Sequence, residues 1–87
     1  MKINGEFIMR EVVGEYVLVP VGDTALHFNG MISLNEVGAC IWKGLSQGKE
    51  REALLEAVLE EFEVSREEAD RDLEEFLDVL REKGLLE

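Results

Sequence analysis

The side chains able to do chemistry are few, and their spacing brings none of them together. His27 is the one histidine and Cys40 the one cysteine among 87 residues. A Cys/His nucleophile pair needs both groups in one site, and these two fall on different predicted elements. A lone cysteine forms neither an internal disulfide nor a zinc cluster. Flanked by Ala39 and Ile41, Cys40 reads as a small buried hydrophobe. His27 reads as a strand side chain with an ordinary partner rather than a metal ligand. The three serines have other tasks: Ser33 lies at a strand–helix junction, Ser46 in a turn, and Ser65 at a helix cap. Carboxylates are abundant, but acid–base work needs a pocket and a shifted pKa, and neither is legible here. Gly22, Gly30 and Gly38 lack the spacing of a phosphate loop. The chain reads as a protein without catalysis, cofactor or metal.

Charge narrows the partners. Twenty acidic residues against nine basic ones give a net charge of −11. The excess is concentrated in residues 49–87, while residues 1–34 carry Glu6, Glu11, Glu15 and Asp23 against Lys2 and Arg10. Such a field repels nucleic acid and anionic lipid; a solvated acidic surface that favours solubility is the first reading of it, and attraction of a basic partner the second. No apolar run approaches a membrane span, and Met1-Lys2-Ile3-Asn4 is too short and too polar to open a signal peptide. A cytoplasmic protein is expected. At 87 residues the expectation is a single domain, 1–87, near the lower limit for an autonomous core.

The elements divide at Leu34-Asn35-Glu36-Val37-Gly38-Ala39-Cys40-Ile41-Trp42. Before it, apolar residues come in short β-branched runs; after it, they come at helical spacing. Phe7 to Val13 predicts a strand, Gly14-Glu15 a tight turn, and Tyr16 to Val19 the partner strand. Pro20 marks an exposed edge, a bulge or the strand's end. Leu26 to Ser33 predicts a third strand, interrupted by Asn29-Gly30 as either a hairpin turn or a bulge. Three strands in an antiparallel meander are favoured over four.

Two start signals overlap at the first helix. Ser33 with Glu36 forms a capping box, with Ile32 and Val37 as its staple, and Asn35 is an equally good cap. Either start puts Val37, Ile41, Trp42 and Leu45 on one face. A second, poorly capped helix starts near Lys49 or Glu50 and presents Leu54, Leu55, Val58, Leu59 and Phe62. The third is best delimited. Ser65 and Glu68 form a capping box with Val64 and Ala69 as staple, and Gly84 closes a Schellman turn in which Leu85 meets Leu80. Its apolar stripe is Ala69, Leu73, Phe76, Leu77 and Leu80. Glu67 and Arg71 are spaced for an ion pair, whereas Asp70, Glu74 and Asp78 repel one another at i+4. That like-charge row is either a solvated edge or a site awaiting a partner.

Sheet first and three helices after it predicts an α+β fold of the winged helix-turn-helix kind. DNA binding does not follow, because the third helix is acidic where phosphate contacts would be needed. An acyl-carrier reading is a remote alternative, since Ile32-Ser33-Leu34 lacks the Asp of an Asp-Ser-Leu attachment motif. A winged-helix docking module in a regulatory pathway is the nearer one.

The chain resembles the PqqD-like family, the peptide chaperones or recognition elements of ribosomally made and modified peptides. The resemblance is carried by Val19-Pro20-Val21-Gly22, by Phe28-Asn29-Gly30-Met31-Ile32, and by the stretch from Leu34 to Trp42. It continues through Gly48-Lys49, Glu60 to Val64, Glu67 to Leu77, and Lys83-Gly84-Leu85-Leu86. It departs at Glu50, where such sequences often place Thr or Ser as a cap. The resemblance implies a noncatalytic binding protein, monomeric or weakly dimeric, with a three-stranded sheet packed on three helices. It implies that the leader of a precursor peptide adds as a strand beside the third strand and lies against the third helix, for presentation to a modifying enzyme, often a radical S-adenosylmethionine enzyme. On that basis the expected contacts are Phe28, Met31, Ile32 and Ser33 on the strand, and Arg66, Asp70, Leu73 and Leu77 on the helix, with the opposite flank of the stripe, Asp72 and Val79, left open. Leu77 is placed near the margin of the stripe, where lysine is expected to spare the fold.

Overall fold

The computed structural model of the chain describes residues 1–28 and 30–87. Strands β1 (Phe7–Val12) and β2 (Glu15–Pro20) form an antiparallel hairpin in the register Ile8↔Val19, Arg10↔Val17 and Val12↔Glu15. The turn between them is Val13-Gly14, one residue earlier than the expected Gly14-Glu15. Both residues have positive φ, 49° and 79°, as a two-residue hairpin of this hand requires. Glycine adopts that conformation freely; a β-branched valine does so with strain, and Val13 is 98% exposed there.

Strand β3 (Ile32–Leu34) pairs antiparallel with β2 through Tyr16↔Leu34, Val17↔Ser33 and Leu18↔Ile32. The sheet order is β1-β2-β3. The third strand is thus much shorter than the run Leu26 to Ser33 expected from apolar spacing. Thr24–His27 instead form a single helical turn, α1, which closes when the Phe28 N–H donates to the Thr24 carbonyl at 2.9 Å. Thr24 also ties this turn to the hairpin, its Oγ1 accepting from the Glu6 N–H at 2.7 Å. Leu26, read as a strand residue from its spacing, is 77% exposed. Whether Asn29-Gly30 is a turn or a bulge lies outside the described residues, because it rests on Asn29. Pro20 ends β2 beyond the reach of β3, so its missing N–H costs no ladder bond.

Three longer helices follow: α2 (Glu36–Ser46), α3 (Arg51–Glu61) and α4 (Arg66–Glu82). Of the two candidate starts for α2, Asn35 is the cap, its Oδ1 accepting from the Gly38 N–H at 2.7 Å. Ser33 is spoken for as a strand residue. No side chain caps α3, as expected from Glu50. Ser65 caps α4 through the Glu68 N–H at 3.1 Å. At its far end the Leu85 N–H reaches the Leu80 carbonyl at 2.8 Å and the Gly84 N–H reaches Arg81 at 3.0 Å, the paired bonds of a Schellman turn with Gly84 at φ 77°.

The sheet's inner face and the three helices enclose one apolar cluster. Leu18, Leu54, Leu73, Leu77 and Leu80 are fully buried in it. Trp42, 3% exposed, stands at its centre, with Phe7 edge-on at 5.7 Å. Gly44 sets the closeness of α2 to α3, since a Cβ there would come within 2.6 Å of Leu54.

Charge stitches α3 to α4. Arg51 donates to Asp70 at 2.9 Å and to Glu74 at 2.9 Å, and Arg81 reaches Glu74 and Asp78 at 3.3 and 3.0 Å. The row Asp70, Glu74, Asp78 is therefore offset in part by two arginines from within the chain, as a solvated edge would be. The Glu67–Arg71 pair expected from spacing does not form among the described ion pairs. The Arg51 hydrogen bond, with help from Arg81, holds the Glu74 carboxyl below its usual range.

Two outcomes follow from this packing. Trp42→Ala should lower unfolding stability by about 3–5 kcal/mol in a denaturant titration, the range for deleting a large buried aromatic; an unchanged midpoint would remove Trp42 from the core's centre. Arg51→Gln should lower the thermal midpoint at neutral pH. A carboxylate with a depressed folded pKa contributes stability that is present above its unfolded pKa and lost as pH falls through the folded one. The gap between wild type and variant should therefore narrow as the pH drops below about 4, and a gap independent of pH would place Arg51's contribution in packing.

Candidate functional site

The third strand is left unfinished on one side. Among the described residues nothing pairs with β3 opposite β2. An edge strand presents alternate N–H and C=O groups outward, free for another extended chain.

Two cavities lie beyond the two ends of this strand in the chain, one against the middle of α4 and one against the turn that follows α4. The first, of about 280 Å³, lies between the β3–α2 junction and the middle of α4. Val37, Ile41, Phe76 and Val79 supply its apolar lining, and Asn35, Asp72 and Glu75 its polar rim. Gly38 belongs to it for a steric reason: a Cβ there would stand 3.1 Å from the Phe76 ring. The second, of about 300 Å³, lies where Phe7, Thr24 and Phe28 meet Lys83, Gly84 and Leu85 at the end of α4. Phe28, four residues before β3, lines one cavity, and Asn35, the residue after it, lines the other.

Of the residues expected on the strand side, Phe28 and Met31 precede β3, and Ile32 and Ser33 lie in it. Phe28 lines the second cavity and packs edge-on against Phe7 at 5.6 Å. Met31 is 67% exposed beside the free edge. Ile32 turns partly into the core, and Ser33 is exposed on the other face of the sheet.

The helix side is rearranged. Leu73 and Leu77 are 0% exposed and belong to the core, so Leu77 is not at the stripe's margin and lysine there would be buried. Arg66 pairs with Glu52 at 2.7 Å and Glu56 at 3.5 Å, and Asp70 pairs with Arg51. Both therefore face α3, away from the first cavity. The flank that α4 turns to that cavity is Asp72, Glu75, Phe76 and Val79, spaced i, i+3, i+4 and i+7. The legible signal for it was Val79, an apolar residue beside the stripe that the core does not need and that remains 42% exposed.

Elsewhere the reactive groups are quiet. Burial, then a hydrogen bond with Glu61, pushes the Cys40 thiol up to about 11, leaving it protonated and unreactive at neutral pH. Among the described residues no three His, Cys, Asp or Glu side chains are grouped as metal ligands, and no helix is long and apolar enough to cross a membrane.

Comparison with known proteins gives the site a context. No curated protein sequence matches the chain. The chain is similar over 100% of its length, and over 95% of the other, to a solved structure of TbiB1 in complex with the TbiA(beta) leader peptide, at 33% identity and a TM-score of 0.77. A second solved structure, lasso peptide synthetase B1 complexed with the leader peptide, shares the fold at 23% identity and a TM-score of 0.72, covering 97% of this chain and 93% of that one. The family model for Coenzyme PQQ synthesis protein D (PqqD) matches residues 15–86. An N-terminal three-stranded antiparallel sheet followed by helices, that match over most of the chain, and the likeness to TbiB1 agree: the chain belongs to the PqqD family.

Proposed function

We propose that the chain is a noncatalytic recognition protein that binds the leader of a ribosomally made precursor peptide by strand addition at β3 and presents it to a modifying enzyme. One observation carries this reading: β3 has a free edge, with cavities against α4 and the turn after it, in a chain similar along its whole length to TbiB1, which was solved with a leader peptide. Backbone groups of Met31 and Ser33, which alternate with the Ile32 groups that pair with β2, complete the ladder with the incoming strand. Those bonds give affinity for almost any extended chain, and the cavities give selectivity for its alternate side chains. Val37, Phe76 and Val79 receive one of them, and Phe28 and Phe7 another. Leu73 and Leu77 act from beneath, fixing α4 at the distance the groove needs. The enzyme served belongs, by the family resemblance, to the radical S-adenosylmethionine class.

A leader must also be released. Micromolar to submicromolar affinity, about −8 to −9 kcal/mol, suits a carrier that hands its cargo on.

The test titrates a cognate precursor leader into the labelled chain and follows amide NMR shifts. Val79→Arg should weaken that binding by about tenfold or more, roughly 1.4 kcal/mol. Its stability should change by no more than about 0.5 kcal/mol, because the residue is 42% exposed. Wild-type shifts confined to α2 and α3, with none at residues 30–35, would contradict the site.

A further inference from the structure

We propose that the first cavity selects a peptide segment in which an apolar anchor is followed or preceded, two residues away, by lysine or arginine. This rests on the leader-binding reading and names the chemistry of its ligand.

The charge on α4 is divided between two flanks. Toward α3, Asp70, Glu74 and Asp78 are matched by Arg51 and Arg81. Toward the cavity, Asp72 and Glu75 form no ion pair among the described residues, and Asp72 is half-buried. Arg66 pairs with Glu52 and Glu56 of α3, and Arg81 with Glu74 and Asp78 of α4 itself, so neither reaches Asp72 or Glu75 as an ion pair. At the rim a half-buried Asp72 and an exposed Glu75 thus stand beside an apolar lining, open to a cation from outside. A chain with a net charge of −11 also draws a cationic segment toward it.

The geometry limits where that cation sits. Asp72 and Glu75 are three residues apart on a helix, so their Cβ atoms lie about 5–6 Å apart, within the span of one guanidinium or ammonium group. An added strand points residues i and i±2 to the same side. When residue i fills the apolar lining of Val37, Phe76 and Val79, residue i+2 or i−2 is the next to face α4. The second cavity lies farther along: Phe76 to Gly84 is eight residues of helix axis, about 12 Å, or about four residues of extended chain. Its rim holds Lys83 with Asp23, so the demand for a cation is confined to the first cavity.

The experiment selects random 12-residue peptides displayed against the whole chain and then measures synthetic copies of the winners by fluorescence anisotropy at two salt concentrations. The expected winners carry Lys or Arg two positions from an aliphatic or aromatic residue. Exchanging that Lys for Glu should weaken binding at least tenfold at low salt. In the Asp72→Asn/Glu75→Gln double variant the Lys and Glu peptides should bind alike, and the salt dependence should flatten. Winners that shift amides at residues 30–34 but show no basic enrichment, or a Lys-to-Glu exchange the double variant leaves unchanged, overturn this inference while the leader-binding reading stands. A library that yields no binder at that edge overturns both.

Discussion

Phe76 rests against Gly38, and the width of the groove depends on that contact. The ring closes on the first turn of α2 where any side chain would come within 3.1 Å of it. Two other constraints hold the partners in place. Asn35 caps α2 immediately after β3, so the strand's end and the helix's start are one rigid joint. Ala69, Leu73, Leu77 and Leu80 bury the opposite side of α4 in the core. The helix cannot move toward β3 without leaving the core, nor away without opening a void beneath Leu73 and Leu77. The free edge and its wall are in this sense built by the core rather than by the residues that line them.

Charge follows the same division. A helix as acidic as α4 would repel itself along the row Asp70, Glu74 and Asp78, and arginines from α3 and from its own last turn offset that row. Such pairs are exposed and individually weak. Their structural consequence is to fix which carboxylates remain free. Asp72 and Glu75 face the groove without an arginine, next to an apolar lining. One flank of the helix is thus paired with arginines, and the other carries carboxylates without an ion pair among the described residues.

Much of this was legible in the sequence, and the gaps have physical reasons. Helix ends were readable because capping is local: Ser65, Gly84 and the paired bonds of Leu85 with Leu80 follow from residues within one turn. The apolar stripe of α4 was readable from its period. The third strand was overextended because Leu26 and Phe28 alternate as strand residues do, whereas Gly22 and the Thr24 bond to Glu6 turn that stretch into helix. The hairpin turn slipped by one residue because valine is a poor candidate for positive φ. The flank of α4 facing the groove was not readable, since a stripe has two margins and only tertiary packing chooses between them. Arg51 makes that choice by claiming Asp70 for α3, and its pairing lies 19 residues away in sequence.

An unpaired backbone edge that accepts a peptide strand is best observed through its own amides. Hydrogen exchange, measured residue by residue with and without the leader, reports that edge directly. Adding the leader should slow exchange at alternate amides of residues 30–34, those pointing away from β2, with little change on β1. Slowed exchange on β1 or the outer face of the sheet, with the β3 amides unchanged, would show that the peptide binds elsewhere and that strand addition at β3 is not how this protein works.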